Sequence, residues 1–155
     1  MKRMLFGATM LASLALATPA GAQPPAGRET ITTSLSFPSF PIAPPFVGTY
    51  DGTFTAAGVV ADAGTVSTHA LFAAVPAPST GALETDRTLR GGAGTLQLRC
   101  TQIAKSFSDL SAVPDSGTCA ILAATGAYET LRGAGKLTGV ADVVAGTLTD
   151  TLSVP

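Results

Sequence analysis

The fold class follows from the run Thr49-Tyr50-Asp51-Gly52-Thr53-Phe54-Thr55-Ala56. Thr49, Asp51, Thr53 and Thr55 alternate with Tyr50, Gly52, Phe54 and Ala56, and a period of two belongs to a strand with one wet face and one dry face. The same alternation returns in Gly64 to Val75, where Val66, Thr68, Ala70 and Phe72 oppose Thr65, Ser67, His69 and Leu71. It returns again in Thr95 to Ala104, with Leu96, Leu98 and Cys100 on one side and Gln97, Arg99 and Thr101 on the other. Turn chemistry separates these runs: Ala61-Asp62-Ala63-Gly64, the break Pro76 to Gly81, and Gly91-Gly92-Ala93-Gly94. Further strands are read at Leu83 to Gly91, Thr118 to Ala123, Gly135 to Val140 and Gly146 to Ser153, with a polar loop from Lys105 to Gly117. The segment Ala127 to Leu131 fits one helical turn. Short strands at this spacing predict an all-β chain, an antiparallel closed β-barrel of about eight strands or, as the alternative, a β-sandwich.

Composition agrees. Of 155 residues, 46% are hydrophobic and only 12% charged, with 17 glycines, 11 prolines, no Trp and one His. Disordered chains, coiled coils and helical bundles need more charge or more helix formers than this. The N-terminal end reads as an address: Lys2 and Arg3 precede an apolar run from Met4 to Thr18, and Ala20-Gly21-Ala22 fits a small-residue cleavage site before Gln23. A run of about 15 apolar residues is short of the roughly 20 that span a bilayer. The expected organisation is therefore a signal peptide over 1–22, a Pro-rich segment over 23–46 with an edge strand at Glu29 to Phe37, and a β-barrel domain over 47–155, exported to the periplasm or beyond. No membrane span is expected in the mature chain. An outer-membrane barrel is a competing reading, against which only Tyr50 and Tyr128 could serve as interface tyrosines.

Without Lys2 and Arg3 the chain keeps seven basic against ten acidic side chains, a net charge of −3 with His neutral. Nucleic acid is disfavoured as a partner by that surface. Cys100 and Cys119 are the two cysteines of an exported chain and are expected to form a disulfide. Neither has the C-x-x-C partner that marks a redox thiol.

Catalytic constellations are missing. His69 stands alone, so neither a Ser-His-Asp set nor a metal cluster can be assembled around it, and an exposed or barrel-end position is expected. Glu84 and Asp86 share one side of a strand, where a solvated face is the usual outcome. Gly91 to Gly94 lacks the Lys and helix of a phosphate loop. Arg87, Arg90 and Arg99 are candidates for an anionic ligand if they converge on a lumen. No cofactor is expected.

One motif rises above this background: Ile121 to Gly139, I-L-A-A-T-G-A-Y-E-T-L-R-G-A-G-K-L-T-G. A strand runs into a small-residue turn, Tyr128 is placed to plug a barrel end with its hydroxyl near water, and Arg132 carries five donors suited to loop carbonyls. The stretch resembles the turn of the allene oxide cyclase and dirigent barrel proteins, through Thr125, Gly126, Tyr128, Arg132 and Gly133, with Ala123 and Ala124 where that family often has glycines. The resemblance implies an eight-stranded antiparallel barrel, often trimeric, with an apolar cavity. It transfers no catalytic residue, and activity does not follow from fold. Three functions fit this sequence: an exported barrel that binds a small hydrophobic molecule or has a structural envelope role, a cyclase or isomerase acting on an unsaturated lipid-like substrate, and a protein-interaction module using an exposed strand edge.

Overall fold

A computed structural model describes residues 28–37, 47–77 and 80–155. The leader and most of the Pro-rich stretch lie outside the described residues. Eight strands run in chain order: β1 Glu29–Ser36, β2 Val47–Ala57, β3 Asp62–Ala77, β4 Thr80–Gly91, β5 Thr95–Lys105, β6 Val113–Ala124, β7 Ala134–Asp142 and β8 Thr147–Val154. A 3-10 turn, η1 (Gly126–Thr130), joins β6 to β7. Each strand pairs antiparallel with its neighbours in sequence, and β1 also pairs with β8, so the sheet is a closed barrel. Closure leaves no edge among the described strands, which removes the problem of exposed ladder groups.

The period of two becomes an inside and an outside. Ile31, Leu35, Phe54, Val66, Leu89, Leu96, Leu98, Leu137, Leu148 and Leu152 fill the interior and are at most 5% exposed. Burying each aliphatic side chain of this size contributes about 1.5–3 kcal/mol. Asp51, His69, Glu84, Asp86, Arg90, Arg99 and Lys136 stand outside among threonines and serines. The interior is mostly apolar, with Glu29, Arg87, Gln102, Asp115 and Asp150 buried among its aliphatic side chains. No helix among the described residues is long and apolar enough to cross a membrane.

Several boundaries differ from expectation, and β3 and β4 run into the expected break, through Ala77 and from Thr80. The segment read as an edge strand is β1, hydrogen-bonded on both sides: Thr33 faces Phe54 on β2 and Asp150 on β8. Its flanking prolines lie outside the strand, so β1 keeps its ladder donors. The loop before β6 is shorter than predicted, because Val113 and Asp115 already point inward while Pro114 points out opposite Val140. The turn after β2 occupies Gly58 to Val60, and Asp62 opens β3 instead of shaping that turn.

Candidate functional site

The two ends of the barrel are built differently. At one end, η1 packs beneath the β4–β5 turn. Ala127 N donates to Ala93 O (2.9 Å), Thr125 N to Thr95 O (2.9 Å), and Thr95 N to Thr125 Oγ1 (3.0 Å). Gly126 adopts φ 64°, and a Cβ there would fall 2.3 Å from Ala93 O. The position therefore needs glycine on both conformational and steric grounds. Ala123 and Ala124 finish β6 without positive φ, so alanine is tolerated where the resemblance has glycine.

Tyr128 closes this end, fully buried. Its hydroxyl donates to Asp62 Oδ2 at 2.9 Å and does not lie in water as expected. Asp62 also accepts from the N–H groups of Ala63, Gly92 and Ala93. Desolvation pushes the Asp62 carboxyl up, yet these four donors outweigh it and hold the carboxyl below its ordinary range. Burial, with the Asp62 charge beside it, raises Tyr128. Arg132 donates to the Leu131 carbonyl at 2.7 Å, and Gly133 O accepts from Ile121 N at 2.9 Å. Thr125, Gly126, Tyr128, Arg132 and Gly133 thus form a stitched corner. Nearby, buried Glu29 accepts from Val60 N at 2.8 Å, and burial raises its carboxyl above the usual value.

Further along the lumen, from its middle toward the other end, the interior is charged. Arg87 of β4 reaches across to β8, where its Nη1 lies 2.6 Å from Asp150 Oδ2. It also bonds Thr33 Oγ1 (3.3 Å), Thr85 Oγ1 (3.3 Å) and Gln102 Oε1 (2.8 Å). Gln102 Nε2 donates onward to Asp115 Oδ2 at 2.9 Å. The register explains how two carboxyls meet. Asp115 on β6 and Asp150 on β8 both pair with Gly139 on β7, so they flank it in one lateral row. A Cβ on Gly139 would sit 2.1 Å from Asp150 Oδ1 and 2.5 Å from Asp115 Oδ1. Two carboxyls occupy the room that a side chain would have taken.

Burial, the Asp150 charge beside it and the shared hydrogen bond raise Asp115 to about 7. Burial also raises Asp150, but Arg87 favours its ionised form. Two carboxyls crowded into one buried site oppose each other's ionisation. The members of the network bond one another, so what it can do chemically is hold a proton.

The outer face carries a groove of about 780 Å³ across β4, β5, β6 and β7. Glu84, Thr101, Thr118 and Lys136 follow one cross-strand row along it, with Ala82 and Ile103 in the next. Glu84 and Lys136 are three strands apart, roughly 14 Å at ordinary strand spacing.

Cys100 and Cys119 form the disulfide, directly opposed across β5 and β6 with Cα atoms 3.9 Å apart. His69 is exposed, and Glu84 and Asp86 lie outside on the same face. Asp86 pairs with Arg99 at 2.8 Å, and that hydrogen bond holds its carboxyl low. The three arginines do not converge: Arg87 is inside, Arg90 and Arg99 are outside. No group of three or more metal-binding side chains occurs among the described residues. Sequence reading missed Asp115, Asp150 and Gln102. Its available signal was an inward-parity acid on each of two strands, which register alone could bring together. Comparison with protein-family models, curated proteins and solved structures finds no match to this chain.

Proposed function

We infer that this chain is an exported β-barrel that binds a small, largely apolar molecule in the groove on the outer face of β4 to β7. The observation that carries this reading is the groove itself. Its volume falls within the range of small-molecule sites. Ile103 is 48% exposed beside it, and Leu71, on the neighbouring strand, is 47% exposed. Glu84 and Lys136 at its two ends would orient a molecule bearing a polar group. The lumen is a poorer candidate, since Arg87 crosses it and its polar partners are already engaged with one another.

The disulfide supports export. The resemblance to allene oxide cyclase and dirigent barrels remains part of this reading, supported by eight closed strands and by the motif turn at the barrel end. A cyclase or isomerase of that type would need open lumen space where Arg87 lies. The interaction-module reading loses its premise, because no described strand offers a free edge.

Thermal-shift screening with fatty acids and aromatic carboxylic acids tests the proposal. At least one class is expected to raise Tm, and Thr118→Trp, an outward substitution in the groove, is expected to abolish the effect while leaving the barrel folded. Absence of any shift, or binding unchanged in T118W, would refute it and leave a structural envelope role.

A further inference from the structure

We propose that the end of the barrel opposite Tyr128 is held shut by a single proton shared between Asp115 and Asp150 over Gly139, and that losing it loosens the loops above. The proposal does not depend on where a ligand binds.

Three observations converge on it. First, the carboxyls are forced together: both project into the space that Gly139 leaves, and neither Oδ1 has another hydrogen-bond partner. A proton between them supplies that missing partner. Second, the surroundings cannot absorb a second negative charge. Around the pair are Thr33 on β1 and Gly139 on β7 beside Asp150, Ala104 on β5 opposite Asp115, and Arg87 on β4 and Gln102 on β5, which bond the carboxyls, with Phe54 on β2 and Thr68 on β3 next in the rows through Thr33 and Arg87. Arg87 is the one charged group among these described neighbours, and Asp150 already pairs with it. Deprotonated Asp115 would then be an uncompensated buried charge, which a protein avoids by moving the group to water.

Third, a way out exists on one side. Asp115 is 9% exposed whereas Asp150 is wholly buried, and Asp115 stands two residues into β6, next to the β5–β6 loop. That loop is tied to the β7–β8 loop by Val143 N donating to Leu110 O at 2.7 Å. A charged Asp115 turning outward passes beneath this tie and breaks its own bond to Gln102. The midpoint near 7 places the change within ordinary environmental pH.

Two measurements on the purified protein test this. Carbon-detected NMR titration of the side-chain carboxyls is expected to show one group with a midpoint near 7, absent in Asp115→Asn. Amide exchange, corrected for intrinsic rate, is expected to be about tenfold faster in 106–116 and 138–146 at pH about 8.5 than at about 5.5. Asp115→Asn should exchange slowly at both values, since an amide keeps a donor without the charge. His69→Gln and Glu29→Gln, which remove the exposed imidazole and the other buried carboxyl, should retain the wild-type response. A titration with every carboxyl below about 5.5 would overturn the shared proton. A midpoint near 7 without faster exchange, or a response unchanged in Asp115→Asn, would overturn the loosening. Should Asp115→Asn fail to fold, the wild-type titration and exchange decide between these outcomes.

Discussion

Gly139 and Arg87 carry more of the interior than their places in the chain suggest. Gly139 is needed for its emptiness: any Cβ there would collide with Asp115 and Asp150. Gly139→Ala is therefore expected to cost about 1–3 kcal/mol, as overpacking does, read as a lower denaturant midpoint. Arg87→Met is expected to be more damaging, because it strands Asp150 as a buried unpaired charge; breaking such pairs costs about 3–5 kcal/mol. Tyr128→Phe loses one partly buried hydrogen bond to Asp62 and should cost only about 1 kcal/mol. Equal costs for R87M and Y128F would show that Arg87 is not spanning the lumen. None of the Arg87 network could be read from sequence. Its members come from β1, β4, β5, β6 and β8, and closure of the sheet is what sets them face to face. The one hint, that Arg87 could reach a lumen, came attached to Arg90 and Arg99, which parity sends outward.

At the scale of elements, period-two alternation was legible wherever outward residues were polar, as in Thr49 to Ala56 and Thr95 to Ala104. It failed at the start of β6. Pro114 and Asp115 carry turn chemistry, yet Pro114 faces out and Asp115 is neutralised by sharing its proton. Asp62 misled in the same way: a good turn residue, it instead collects donors from the β4–β5 turn and Tyr128. The motif corner was readable because glycine and tyrosine requirements are local. The disulfide joins β5 and β6 midway along both strands, with both cysteines at most 1% exposed. Replacing the pair by alanines is expected to cost about 2–5 kcal/mol, measured by denaturant unfolding. An unchanged midpoint would mean that the β5–β6 ladder needs no crosslink.

For the whole molecule, pH acts through opposed groups. In the folded chain Asp115 binds its proton at about 7, against an ordinary value of 3.8, so between these values the folded state holds one proton more. Raising pH through that window therefore favours unfolding, and buried Glu29 adds a contribution of the same sign. Asp62 and Asp86 act oppositely, since their lowered carboxyls stabilise above the ordinary value and that contribution is lost in stronger acid. Tm is expected to peak in mild acid and to fall toward pH about 8. Asp115→Asn should flatten the alkaline side, and Glu29→Gln should do so in part. A Tm that climbs steadily from mild acid to alkaline pH would contradict these assignments.

The barrel closes only if β1 pairs with both β2 and β8. Nuclear Overhauser contacts across β1 examine that most directly. Cross-strand contacts are expected from Thr33 to Phe54 on one side and to Asp150 on the other. Contacts to one side only, or to neither, would mean an open sheet and no lumen for Arg87 to cross.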